Sequence, residues 1–155
     1  MRLLLLNPNT SDFVTARVAA TAQQCARPGT EVIAVTGPFG ARVIGTRAEL
    51  AIAQHATMEA LAQHAGACDA VVLAVSYDTA LYAAREMLAV PVVGITEAAL
   101  LTACMLGTRT GVIMFGKRVL PLYQELATLY GLGQRVTGWR ALASAAPYGD
   151  GDQSE

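Results

Sequence analysis

The chain has 155 residues, of which 54% are hydrophobic and 15% charged, with a formal net charge of −1. That length suits about one domain with a real core. So little charge means that most segments are buried on more than one face, which favours a layered α/β protein over an antiparallel sheet open to water. A balance this close to neutral gives no electrostatic reason to expect nucleic acid or an anionic membrane as partner.

The opening run M-R-L-L-L-L stops at Asn7-Pro8, far short of a signal-peptide core or a spanning helix, and reads as a first strand over residues 3–6. Further strands are expected at 31–35, 70–75, 90–93, 110–114 and about 134–139. Most of these runs are rich in Val, Ile or Leu and end in Gly, Pro, Asn, Ser or Thr. The stretches between them are rich in Ala, Leu, Glu and Gln and read as helices. Thr10-Ser11, Thr46 and Thr96 are expected to cap the first, second and fourth of these through their side-chain oxygens. The alternation predicts an α/β fold, a parallel sheet with helices on both faces and right-handed crossovers.

Ligands of such sheets bind beyond the carboxyl ends of the strands. Five segments, 7–11, 36–40, 76–79, 94–97 and 115–118, are therefore expected on one rim. The loop G-P-F-G-A-R-V-I-G-T, residues 37–46, is long enough to act as a flap over it. From Ala143 the chain turns polar and glycine-rich, and residues 143–155 are expected to fray.

Each motif on the rim has two readings. N-P-N-T-S can hold a carboxylate or amide through Asn7 and Thr10, or form an Asx turn followed by a helix cap. V-S-Y-D-T-A can supply Ser76, Tyr77 and backbone N–H groups to a substrate oxyanion, or cap a helix through Asp78 or Thr79. Its place at a strand end on the rim favours function. Lys117 and Arg118 could hold an acidic substrate or simply be a charged helix start.

Neither G-x-G-x-x-G nor G-x-x-x-x-G-K-[ST] occurs, so a nucleotide loses its main support. His55 and His64 are nine residues apart and do not share the i, i+4 face of a metal site. Cys25, Cys68 and Cys104 are odd in number with no C-x-x-C pair, so neither disulfides nor zinc is indicated, and they read as small core residues. A reducing, cytoplasmic setting is the default.

Taken together, N-P-N-T-S after the first strand, D-A-V-V-L-A-x-x-x-D-x-x-L-x-A-A-R-E in the third unit and P-V-V-G-I-T-E-A-A entering the fourth resemble the aspartate/glutamate/hydantoin racemase superfamily, nearest its hydantoin racemase branch. The similarity runs from Met1 to about Trp139. It implies two α/β lobes with a site between them: a first lobe over 1–95 and part of a second over 96–142. It also implies a cofactor-independent isomerase of amino-acid metabolism, acting on a small carboxylate, amino-acid derivative or hydantoin.

In that family a cysteine from each lobe removes and returns a proton next to a carbonyl, while hydroxyls and backbone amides stabilise the enolate. Here the first cysteine position falls on Val75, and the second would lie beyond residue 155. The resemblance thus leaves Ser76 and Tyr77 as the candidate catalytic groups. Asn7, Thr10, Ser76, Tyr77, Asp78, Thr79 and Phe115 are the candidate substrate-binding residues, with Met114-Phe115 making one side apolar. The chain is expected to be a fragment, or a short form completed by a partner and self-associating as a homo-oligomer, and to be weak or inactive alone. Two other functions stay open: an enolate-forming decarboxylase or isomerase of the arylmalonate decarboxylase type, and a non-catalytic small-molecule binding module.

Overall fold

A computed structural model describes residues 1–142, and the tail expected to fray, 143–155, lies outside the described residues. The elements run β1 (Arg2–Asn7), α1 (Asp12–Cys25), β2 (Glu31–Thr36), α2 (Arg47–His64), β3 (Ala70–Leu73), α3 (Leu81–Met87), β4 (Val92–Gly94), α4 (Ile95–Leu106), β5 (Thr110–Phe115), α5 (Leu120–Leu129) and β6 (Val136–Leu142). The first four strands form one parallel sheet in the order β2-β1-β3-β4, and β5 pairs with β6, also parallel, in a separate sheet. In the larger sheet Asn7 lies opposite Thr36, Leu6 opposite Leu73 and Leu73 opposite Gly94, so four strand ends come level and the loops that follow share one edge.

Two strand boundaries differ from the apolar runs for backbone reasons. The chain leaves β3 after Leu73, where the Ala74 N–H makes a last bond to the Leu6 carbonyl at 2.8 Å and the backbone then turns. β4 begins only at Val92, because Pro91 has no N–H to give a ladder; its carbonyl still accepts from the Val71 N–H at 2.9 Å.

The main core follows from two periods. Leu4, Leu6, Val71, Leu73 and Val92 alternate along the strands onto one face, against Ala60, Leu61, Leu81 and Ala84 of α2 and α3. On α2 the buried positions Ala53, Ala56, Thr57, Ala60 and Leu61 fall at i, i+3, i+4, i+7 and i+8, a stripe of mostly small side chains that lets the helix lie close to the sheet. A second cluster of Ile44, Ala53, Tyr77 and Leu122 ties the flap, α2, the loop after β3 and α5 together. A third, Leu100, Ala127 and Val136, packs α4 and α5 against the smaller sheet, with Val112 and Trp139 beside it.

Ser11 caps α1, its hydroxyl accepting the Val14 N–H. Thr46 caps α2 by accepting the Glu49 N–H at 3.2 Å, while the Glu49 carboxylate reaches back to the Gly45 N–H at 2.8 Å. That N–H holds the Glu49 carboxyl below its usual range against the opposing effect of burial. Thr46→Ala should therefore cost about 1 kcal/mol, a fall of roughly 2–4 °C in Tm by calorimetry; an unchanged Tm would show that the cap adds nothing.

Two expectations are corrected. Thr96 does not cap α4: Gly94 holds the cap position, and the Thr96 N–H is taken by the distant Asp78 carboxylate. Cys25 is exposed at the end of α1 rather than a core residue, whereas Cys68 is buried and Cys104 half-buried.

Candidate functional site

The N-P-N-T-S segment is folded in on itself. Asn7 is fully buried, and its amide nitrogen donates to Asn9 Oδ1 at 2.8 Å, Thr15 Oγ1 at 3.0 Å and the Ser11 carbonyl at 3.2 Å. Asn7 Oδ1 in turn accepts the Asn9 N–H, and Asn9 Oδ1 accepts the Ser11 N–H. Thr36 extends this network to Asp12, donating to its carboxylate at 2.7 Å. The Asn7 side chain and the Asn9 side-chain oxygen are thus spent shaping the loop. Thr10 stays half-buried and secures the flap through its backbone N–H, which donates to the Ala41 carbonyl at 3.1 Å. Gly37 is required at the base of the flap, because a Cβ there would stand 2.7 Å from the Pro8 carbonyl oxygen.

The loop after β3 is the strained part of the edge. Asp78 and Ala80 both occupy the left-handed region, with φ of 46° and 63°, and they are the non-glycine residues with positive φ among those described. The Asp78 N–H closes a turn on the Val75 carbonyl and its carbonyl accepts the Leu81 N–H, each at 3.0 Å. Its carboxylate does not cap α3, the helix that follows it. It crosses to α4 instead, accepting the Thr96 N–H at 2.9 Å and the Glu97 N–H at 2.8 Å, and it also accepts the Tyr130 phenol at 2.7 Å.

Burial pushes the Asp78 carboxyl up from its usual range, and these three donors pull it back only in part. Gly94 lies directly beneath, where a Cβ would meet the carboxylate. Between the two left-handed residues, Thr79 is buried and its hydroxyl has no partner among the described residues. A buried hydroxyl left unbonded is costly to stability.

A groove of about 770 Å³ opens beside this loop, walled by α2, the start of α3 and α5. Tyr77, Asp78 and Thr79 line it, with Arg47, Gln54, His55, Tyr82 and Tyr130, over an apolar bed that includes Leu50, Met58 and Leu122. Asn7, Thr10, Ser76 and Phe115 lie outside that lining. Ser76 is half-buried and its carbonyl accepts the Thr96 hydroxyl; Phe115 is 60% exposed while its neighbour Met114 is buried.

At the groove mouth Arg47 and Glu125 make a two-pronged ion pair, at 2.8 Å through Arg47 Nη1. Arg47 is therefore already matched. His55 is exposed, with its ring edge-on to Phe39 of the flap at 5.4 Å between centroids.

Tyr77 packs on Tyr123 at 5.0 Å, and burial first, then Tyr123 and Glu49, raises its phenol well above the usual value. Burial and the Asp78 carboxylate do the same to Tyr130. Both phenols stay protonated at neutral pH, and Tyr130 donates to Asp78. Val75, half-buried against the second cluster, carries no proton. Among the described residues no three His, Cys, Asp or Glu side chains are grouped as a metal site would require, and no helix is long and apolar enough to cross a membrane.

Tyr130, Gln54 and Arg47 escaped the sequence reading. The nearest signal is Y-G-L-G, where Tyr130 precedes Gly131 at φ 70°. Nothing in that motif points to Asp78, 52 residues away.

A parallel α/β fold is what comparison with known proteins also returns. The family model for Asp/Glu/Hydantoin racemase matches residues 3–153, and the chain belongs to this family. A hydantoin racemase of Pseudomonas sp. (strain NS671) is 30% identical over 141 residues, which cover 90% of this chain and 57% of the relative. The crystal structure of an allantoin racemase from Pseudomonas fluorescens superposes with a TM-score of 0.87 at 37% identity, covering 91% of this chain and 60% of that one. A mutant of arylmalonate decarboxylase shares the fold at a TM-score of 0.59 and 18% identity, over 93% of this chain and 63% of that one. The chain thus spans less than two thirds of the length of these proteins.

Proposed function

We propose that this chain is the first lobe and part of the second of a hydantoin- or allantoin-racemase-like isomerase, with residues 1–95 and 96–142 flanking a site for a small cyclic amide or amino-acid derivative. The observation that carries this reading is the loop after β3, held in a left-handed conformation with a buried, unpartnered Thr79 hydroxyl. Strain of this kind persists only where the surroundings impose it, and it concentrates at binding and catalytic positions. Ser76 and Tyr77 donate hydrogen bonds to the substrate carbonyl as charge moves onto it during proton loss from the adjacent carbon, and the Thr79 backbone N–H completes the donor set. Half-buried Thr10 and exposed Phe115 are the further substrate contacts of this reading. Asn7 and Asp78 act indirectly, by shaping the two loops.

The reaction needs no cofactor. It does need a base and an acid on opposite faces of the carbon, and Val75 supplies neither. Turnover by these residues alone is accordingly slow, and the rest of the machinery comes from further chain or from a partner copy. Val75 also favours a second reading, an enolate-forming decarboxylase that keeps only the donor pocket in this lobe, and it leaves room for a binding module without catalysis.

These readings separate when the purified chain is incubated in D2O with single-enantiomer 5-substituted hydantoins. Deuterium entry at C5 above the buffer rate is expected for the isomerase, with loss of optical rotation only where a second proton donor joins from further chain or a partner copy. Ligand binding by NMR titration without deuterium entry would leave the binding module, and neither signal would sink the proposal.

A further inference from the structure

Tyr130 lies beyond every segment that the sequence marks as rim, yet its phenol ends on the rim loop. Asp78 Oδ2 accepts that phenol and the Glu97 N–H, and Oδ1 accepts the Thr96 N–H, so three donors from the start of α4 and the end of α5 fix one carboxylate. That carboxylate belongs to a residue with φ of 46°, two positions before another at 63°. Alanine rarely adopts this conformation unforced, and aspartate, which tolerates it better, here does so with its carboxylate tied to three distant donors. The two N–H bonds come from backbone and are present whatever the side chains. The phenol is the donor that a side chain adds.

We propose that Tyr130 is a positioning residue: its hydroxyl clamps Asp78 and so holds residues 76–80 in the shape that presents Ser76, Tyr77 and Thr79 to a ligand. The role in ligand binding rests on the function proposed above; the effect on the loop does not. The ring of Tyr130 packs separately, between the main core and the third cluster, with the Tyr82 ring 6.5 Å away. Removing the hydroxyl alone therefore leaves the packing in place. The titratable groups facing Asp78 are Tyr130 at the end of α5 and Glu97 on α4, the latter paired with Arg85 of α3 at 3.2 Å.

The test is Tyr130→Phe in the full chain, read three ways. A phenol bonded to the ionised carboxylate lowers its pKa, so the Asp78 carboxyl 13C titration midpoint should move up in the variant. Hydrogen exchange at the Asp78, Leu81, Thr96 and Glu97 amides should quicken about tenfold while core-strand amides keep their rates. The affinity for 5-isopropylhydantoin should fall about tenfold by NMR titration.

A second variant pushes the opposite way: 3-fluorotyrosine at position 130 keeps a hydroxyl that donates more strongly, and the Asp78 midpoint should fall below that of the unmodified chain. An unchanged midpoint and unchanged exchange in both variants would overturn the clamp. Should Tyr130→Phe fail to fold, the fluorinated chain decides alone. If the unmodified chain does not bind the hydantoin but both midpoints move as stated, the clamp stands and the hydantoin reading falls.

Discussion

Gly94→Ala is expected to lower stability by about 3 kcal/mol, a fall of roughly 6–12 °C in Tm. A Cβ at this position would stand 2.4 Å from Asp78 Cγ and 2.6 and 2.7 Å from its oxygens, closer than real atoms approach. Either β4 moves, which breaks its pairing of Leu73 with Gly94, or the carboxylate moves. A displaced carboxylate leaves the Thr96 and Glu97 N–H groups and the Tyr130 hydroxyl without an acceptor in a site where Asp78 is only 4% exposed. The cost is shared with Asp78, so Gly94→Ala and Asp78→Ala combined should be less damaging than the sum of the two. Calorimetry on the three variants settles it; a Tm within a degree of the parent for Gly94→Ala would mean that the close approach is not enforced in solution.

The second large effect is a gain. Val75→Cys should raise deuterium entry at C5 of a single-enantiomer hydantoin by about 10²-fold over the parent chain, with little loss of optical rotation. Cysteine is close in size to valine, and position 75 is half-buried beside Tyr77 and Ile44, so the loop has room for it. A thiolate there takes the proton from carbon, exchanges it with D2O and returns deuterium to the same face. Inversion needs a second acid on the other face, which these residues lack. Polarimetry and mass spectrometry on one sample separate the two events. Racemisation as fast as exchange would show that this chain or a partner copy of it supplies a second proton donor, and no exchange at all would place the substrate carbon away from residue 75.

The strands were legible because each is a local pattern. Leu3 to Leu6 or Val71 to Leu73 announce burial by composition, and Thr46 and Ser11 sit just ahead of helix-forming runs. The location of the unusual loop was equally legible, since residues 76–79 follow an apolar run and precede A-A-R-E. How that loop is held was not. Asp78 reads as a cap for the next helix because sequence shows only its neighbours, whereas its partners are 18, 19 and 52 residues away. The exchange of partners depends on Gly94 lacking a side chain, a fact about the space between the end of β4 and the loop after β3 that no local pattern records. Asn7 shows the same limit: its type suggests ligand binding, but burial directs its amide to Asn9, Thr15 and the Ser11 carbonyl.

The contact between Asp78 and the start of α4 also has an electrostatic consequence. The opening turn of a helix carries a partial positive charge and can steady a developing anion nearby. In this fold a carboxylate already sits on that turn, so the field from α4 is largely cancelled before any substrate arrives. Negative charge growing on a carbonyl beside Ser76 would gain little from α4. The loop's own hydroxyls and the short α3 that follows it would have to meet that charge.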